Sequence, residues 1–212
     1  MGKQFLITAT ACLFLSISVL SQSQNESQKP YDQDAIAGEA SKDLANRDPL
    51  VRQEGAEILA KLADPNQLTL TEGYVLQEKN ARVRLALNWA LYRMGKNEML
   101  YPIVKDLDTE RQVQAVVYLS QLESAEPLYK FIDRSRPQAQ EALFEVFARI
   151  GDDQTLTLVS RYVDASIPEV AKAAKHARDQ ITLRLQYKPA EAKGRQRRIG
   201  AEDDQNSARQ SP

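Results

Sequence analysis

The feature that most constrains this sequence is an internal repeat in which one apolar pattern returns about every 30 residues. Successive copies are offset by 32, 28, 28 and 31 residues. Within each copy the apolar positions are 4, 3 and 4 residues apart, a spacing that places them on one face of an α-helix. The aligned positions form four columns: Val51, Val83, Ala139 and Val170, with Arg111 as the exception; Gly55, Leu87, Ala115, Leu143 and Ala174; Ile58, Ala90, Tyr118, Val146 and Ala177; and Leu62, Met94, Leu122, Ile150 and Ile181.

A second apolar segment precedes each copy and predicts a partner helix there. Gly95 and Gly151 stand where a glycine that ends a helix is expected, and the second helix of three repeats opens on a proline, namely Pro49, Pro137 and Pro168. No single helix pair could bury its apolar face alone, so such an array folds by stacking neighbouring pairs. The sequence therefore predicts an all-α fold, an α-solenoid of about five antiparallel helix pairs.

Two stretches of the chain resemble a known helical repeat. Residues 48–64 read DPLVRQEGAEILAKLAD, and residues 80–87 read NARVRLAL. Both are similar to the HEAT-like repeat of the phycobilisome lyases. The resemblance covers about residues 32–186, although Gln112 and Gln140 replace the motif arginine in later copies. It implies a right-handed solenoid of HEAT-like helix pairs, and it speaks to fold more than to function.

Tetratricopeptide repeats are the competing interpretation, which Trp89 and Tyr92 suggest. Those repeats keep a fixed period of about 34 residues. The spacing here varies between 28 and 32 residues, which favours the HEAT-like interpretation. The repeated His-Glu pairs that HEAT-repeat hydroxylases carry do not occur in this chain.

The N-terminus reads as a signal peptide spanning residues 1–21. Lys3 supplies the positive charge, and the apolar stretch over residues 5–20 has 16 residues, fewer than the roughly 20 that a membrane-spanning helix needs. Small residues place the cleavage site near Ser21 or Ser23. The sequence thus predicts an exported protein, periplasmic or secreted, with an uncleaved membrane anchor as the alternative.

Polar segments flank the repeat region on both sides. Residues 22–31 read as a linker, the repeats occupy residues 32–186, and residues 187–212 lack periodicity and are expected to be disordered. The C-terminal tail holds a small basic cluster, formed by Arg195, Arg197 and Arg198. A cluster of this size indicates a solvated tail, with a docking role as the alternative.

Residues that could carry chemistry are sparse. Cys12 is the only cysteine and lies inside the apolar stretch, so it is interpreted as part of the signal, with lipid attachment as the alternative. His176 is the only histidine and lacks the converging ligands or base that a metal or catalytic site needs. No phosphate-binding glycine loop or nucleophile motif occurs. The sequence therefore predicts no enzyme activity, no catalytic residues, no cofactor and no metal.

A candidate binding surface emerges from the second helix of each repeat, which the resemblance implies lines a concave face. On a helical wheel, the positions opposite the apolar columns are mostly charged or polar in the outer repeats. In the second and third repeats they are apolar or aromatic, and an apolar patch with a polar rim is typical of a binding surface. The predicted partner-binding residues are Leu85, Trp89, Tyr92, Val113 and Val117. The alternative is that these side chains belong to the core.

The predicted function is that of a non-catalytic protein-binding scaffold or adaptor of the bacterial cell envelope, acting through the concave face of the solenoid. The expected partner is another protein, since a formal net charge of -1 gives no reason to expect nucleic acid. No small-molecule substrate is evident, and a monomer is expected. Two alternatives stay open: an accessory subunit or atypical enzyme related to HEAT-repeat lyases, and a membrane-tethered scaffold with an uncleaved N-terminal anchor.

Overall fold

The computed structural model describes residues 33–187. The expected signal peptide, the expected linker and residues 188–212 of the expected tail lie outside the described residues. Over residues 33–187 all regular structure is helical and no strand is present, so the all-α prediction is confirmed. None of the helices in this part combines the length and the apolar character that crossing a membrane requires.

The described chain contains nine α-helices together with four 3-10 helices. The α-helices are α1 (Gln33–Asp43), α2 (Pro49–Leu62), α3 (Leu68–Gln77), α4 (Ala81–Arg93), α5 (Leu100–Lys105), α6 (Gln112–Leu119), α7 (Pro137–Ile150), α8 (Asp153–Ser160) and α9 (Pro168–Gln186). The 3-10 helices are Pro65–Gln67, Asn97–Met99, Asp106–Asp108 and Glu126–Arg134. The second helix of each repeat, predicted from the apolar columns, is therefore present as α2, α4, α6, α7 or α9.

Side-chain caps define where the early helices begin. The Asp48 carboxylate accepts a hydrogen bond from the backbone N–H of Leu50 at 2.9 Å, at the start of α2. The Asn80 side chain accepts from the backbone N–H groups of Arg82 and Val83 at 3.0 and 3.3 Å, at the start of α4. Each cap of this kind stabilises its helix by about 1 kcal/mol. These caps fix the residues at which α2 and α4 begin.

The two glycines predicted to end helices do so for different reasons. Gly95 follows α4 with a φ of +103°, a conformation that favours glycine. Gly151 follows α7 with a φ of -64°, so it needs no left-handed backbone. A Cβ at Gly151 would lie 2.6 Å from the carbonyl oxygen of Phe147 and 2.7 Å from Cγ2 of Thr155. Glycine is therefore required there because neighbouring atoms approach closely.

The core lies between helices that pack along the chain and across repeats. α1 packs on α2, α3 on α4 and α8 on α9, while α2 also packs on α4 and α7 on α9. One predicted column is buried at all five of its positions, namely Gly55, Leu87, Ala115, Leu143 and Ala174. The side chains of Leu87, Ala115, Leu143 and Ala174 belong to one continuous apolar cluster that runs from α1 to α9. This column therefore predicted five core positions correctly, whereas the other three columns include half-buried positions such as Val51, Ile58 and Leu62.

One ion pair connects the first two repeats. The Arg52 guanidinium on α2 donates two hydrogen bonds to the Glu78 carboxylate after α3, at 2.8 and 3.0 Å. It also donates to the backbone carbonyls of Asn46 and Arg47 at 2.9 and 3.0 Å. The hydrogen bonds from Arg52 lower the pKa of Glu78, whose side chain is 7% exposed. The pair fixes the end of α3 against the start of α2.

The partner helices of the middle repeats are shorter than those of the first two. α5 has only six residues and continues as the 3-10 helix Asp106–Asp108, and the next partner segment, Glu126–Arg134, is entirely 3-10. The copies that end in α6 and α7 follow the preceding copy by 28 residues, whereas α4 follows α2 by 32. Four residues correspond to about one turn of an α-helix. The missing turn explains why these segments are short.

Candidate functional site

Two of the five predicted partner-binding residues are buried in the core. Leu85 and Trp89 on α4 are 0% and 2% exposed, so the expectation that they face solvent is wrong. The Trp89 indole is stacked between Tyr92 and Tyr118, with ring centroids 5.7 and 5.8 Å apart, and Tyr92 is half-buried. The physical reason is that Tyr118 of the next repeat covers the side of α4 that the helical wheel of α4 alone left open.

A hydrogen-bond network fixes the Tyr118 side chain in its position against Trp89. The Tyr118 hydroxyl donates to Oε1 of Glu57 on α2 at 2.6 Å, and it accepts from Nε2 of Gln114 at 2.8 Å. Nε2 of Gln53 also donates to Oε1 of Glu57, at 2.9 Å. Burial and the adjacent Glu57 carboxylate raise the pKa of Tyr118. α6 is thereby connected to α2 across the buried side chain of Trp89.

The remaining two predicted residues are exposed. Val113 and Val117 lie four residues apart on α6, so they share one face of that helix. They are 77% and 46% exposed, and we refer to them as the valine pair. The structure therefore divides the predicted surface into a buried part on α4 and an exposed part on α6.

A second concave feature was not predicted from the sequence. It is a cleft of about 900 Å³ between α5 with its 3-10 continuation and the segment that runs from Glu126–Arg134 into α7. We call it the basic cleft, and the lining residues that matter most are Tyr101, Lys105, Lys130, Phe131, Arg134 and Arg136. All of these residues except Arg136, which directly precedes α7, lie in the partner segments of the third and fourth repeats. Only the apolar positions of those segments entered the sequence prediction.

Carboxylates within the basic cleft are already paired. Asp106 accepts hydrogen bonds from the Arg111 guanidinium at 2.7 and 3.1 Å, which raise the pKa of Arg111. Asp108 accepts from Nη1 of Arg136 at 3.0 Å. The other three cations of the cleft have no ion pair with any of residues 33–187; they are Lys105, Lys130 and Arg134.

Groups that could hold a metal or perform catalysis do not cluster in the described residues. Residues 33–187 contain no set of three or more histidine, cysteine, aspartate or glutamate side chains close enough to bind a metal ion. His176 lies exposed on α9, and Cys12 lies outside the described residues. No protein-family model and no curated protein matches the chain. The similarity to HEAT-like repeats therefore stays a resemblance of sequence pattern.

Proposed function

We propose that this protein is a non-catalytic protein-binding scaffold built as a right-handed solenoid of HEAT-like helix pairs. The observation that carries this proposal is the exposure of the valine pair on α6. At the equivalent positions α7 carries Glu141 and Glu145, and α2 carries a glutamine and a glutamate. An exposed apolar pair with glutamates at the equivalent positions of the next second helix has the composition of a small interaction surface, since interfaces bury an apolar centre within a polar rim.

Two packing features support the solenoid part of the proposal. Second helices contact each other across repeats, α2 with α4 and α7 with α9, and first helices contact their own second helices, α1 with α2 and α3 with α4. In a solenoid each repeat likewise contacts mainly its neighbours. On this proposal α6 continues the row of second helices, and the valine pair lies on its concave side.

Export to the periplasm or the exterior is the part of the proposal that concerns location. Its support is the sequence of residues 1–21 alone, with Lys3 before an apolar stretch and small residues around Ser21. The N-terminal sequence of the protein purified from its native host tests this directly. A chain that still begins at Met1 would contradict cleavage.

The binding function is tested by affinity capture from envelope extracts with the wild-type protein and a variant carrying Val113→Ser and Val117→Ser. The control carries Leu50→Ser and Leu76→Ser, at two exposed leucines on other helices. A protein that binds the valine pair should be retained by the wild type and the control but lost from the α6 variant. Equal retention by all three proteins, at equal helical content in circular dichroism, would contradict a role for α6.

A further inference from the structure

The basic cleft has a charge that its surroundings do not neutralise. Five cationic side chains line it against two carboxylates, which leaves a local formal charge of +3. The whole chain has a formal net charge of -1, so the positive charge is a property of this cleft. Both carboxylates are engaged by arginines of the cleft. An anionic ligand would therefore meet cations that have no competing carboxylate partner in residues 33–187.

Aromatic rings lie between these cations. Tyr101 is 60% exposed and packs against Phe131 with ring centroids 6.4 Å apart. Nζ of Lys105 lies 6.0 Å from the centre of the Tyr101 ring, and Nζ of Lys130 lies 5.1 Å from that of Phe131. Lysines over ring faces are held in place by cation–π attraction. The cleft therefore offers an exposed aromatic face beside ammonium groups.

The start of α7 adds to the positive potential. α7 begins after Arg136, a residue type that cannot accept a hydrogen bond from the backbone, and no side chain caps its first turn. Ala139 of that turn lines the cleft. The N-terminus of an α-helix carries a partial positive charge that favours anions. The helix therefore reinforces the cationic side chains of the cleft.

From this geometry we propose that the basic cleft binds an acidic segment of a partner protein, with carboxylates against Lys105, Lys130 and Arg134 and an aromatic side chain on Tyr101. The cations lie on different elements, with Lys105 on α5 and Lys130 and Arg134 in Glu126–Arg134, and they border a cleft of about 900 Å³, much larger than a single phosphate group. An extended acidic peptide carries several carboxylates along its length, so different carboxylates can pair with cations on different elements. The exposed tyrosine is a second attraction, since tyrosine and tryptophan are frequent at energetic centres of interfaces.

This site shares no residue with the valine pair, and its test does not depend on that surface. The probe is a short fluorescein-labelled peptide of glutamates around one central tryptophan, and its binding to the full chain is followed by fluorescence anisotropy. We expect saturable binding that weakens as salt is raised. The test variant carries Lys130→Glu and Arg134→Glu, and the control carries Lys172→Glu and Lys175→Glu on the exposed face of α9. Both variants change the net charge of the chain equally.

We expect the cleft variant to bind the probe at least about tenfold more weakly than the wild type, and the control to change by less than about twofold. Tyr101→Ala should weaken binding of the tryptophan peptide but not of the same peptide with serine in place of tryptophan. Circular dichroism checks that each variant stays helical; exposed side chains such as these rarely affect folding. Equal weakening by the α9 control would overturn the proposal, because binding would then be diffuse electrostatic attraction.

Three further results would overturn it. The first is an absence of saturable binding by the wild type. The second is displacement of the probe by low concentrations of inorganic phosphate, with no effect of Tyr101→Ala, which would indicate a small-anion site. The third is tighter binding by a peptide of residues 198–207, which contains Glu202, Asp203 and Asp204, because the occupant would then be the tail of this chain and not a partner.

Discussion

The helices up to residue 94 and those between residues 100 and 136 follow the same repeat pattern but differ in length and in what they expose. In the first region, which we call the regular region, α2 and α4 have 14 and 13 residues and begin on side-chain caps. In the second, the shortened region, α5 and α6 have six and eight residues and no side-chain cap. The valine pair lies in the shortened region, as does most of the basic cleft. Candidate binding surfaces therefore coincide with the loss of about one helical turn per repeat.

In the regular region α4 is buried on several sides. Every residue from Leu85 to Leu91 is buried, so this part of α4 has no face left for a partner. α6, by contrast, is buried along one face only and exposes Val113 and Val117 on the other. A helix that is apolar all round is stable only when neighbours cover it completely. The comparison shows that α4 is a central helix of the core and α6 is the one that meets solvent.

Trp89→Ala should have the largest effect of the changes considered. Removing an indole that is 2% exposed and stacked between two tyrosines should lower the free energy of unfolding by about 3–5 kcal/mol, because a cavity remains. Val113→Ala, on the exposed face of α6, is the control and should change it by less than about 0.5 kcal/mol. Urea denaturation followed by circular dichroism measures both. Equal effects of the two substitutions would mean that α4 and α6 do not differ in burial.

Arg52→Ala should have an intermediate effect in the regular region. The substitution removes the ionic partner of Glu78, whose side chain is 7% exposed. We expect the free energy of unfolding to fall by about 1–3 kcal/mol. The matched change in the shortened region is Arg136→Ala, whose ion pair with Asp108 involves an arginine that is 83% exposed. That change should lower the free energy of unfolding by less than about 1 kcal/mol. A larger cost for Arg136→Ala would reverse the proposed difference between the two regions.

The same ion pair also predicts a dependence on pH. Because Arg52 lowers the pKa of Glu78 in the folded protein, the stabilisation is fully present above the unfolded glutamate's pKa of about 4.3. It is lost as the pH falls from there through the lowered native pKa. The stability difference between wild type and Arg52→Ala should therefore shrink in acid, and a difference that is constant from neutral pH to about pH 3 would contradict the assignment.

Tyr118→Phe should have the smallest effect and lower the free energy of unfolding by about 0.5–1.5 kcal/mol. The reason is that it removes only the hydroxyl group that connects Glu57 with Gln114. The control Tyr187→Phe alters an exposed tyrosine and should leave stability unchanged. The pKa of Tyr118 is raised in the folded protein, so as the pH rises this tyrosine ionises in the unfolded state before it ionises in the folded state. Part of the free energy of unfolding is therefore lost above about pH 10. The loss of stability above about pH 10 should be smaller in Tyr118→Phe than in the wild type. An equal loss in both proteins would contradict the buried position of the hydroxyl.

Much of the fold could be predicted because helical periodicity is local. The column from Gly55 to Ala174 identified five core positions in five helices without reference to any contact between them. The surface could not be predicted in the same way. The helical wheel of α4 contains no information about Tyr118, which lies 61 residues from its hydrogen-bond partner Glu57. A position that is open on an isolated helix can therefore be covered by a side chain of the next repeat.

The basic cleft could not be predicted for a related reason. Its cations and aromatic residues are separated along the chain, from Tyr101 to Arg136, and none of them forms a motif with fixed spacing. The 28-residue offsets indicate that the partner segments of these repeats are short. That signal indicates where helices are truncated, but it does not show which side chains the truncation brings together.

The sequence by itself determined that the described chain is all-α and where its second helices lie, and it identified one column of core residues, from Gly55 to Ala174. Apolar spacing decides these features because it acts within single helices of 8 to 19 residues. Only the tertiary structure decided that Trp89 is core, that Val113 is surface, and that Lys105 and Lys130 share one cleft with Arg134. Exposure and charge clustering depend on which neighbour covers each helix, and that neighbour is brought there by packing between repeats.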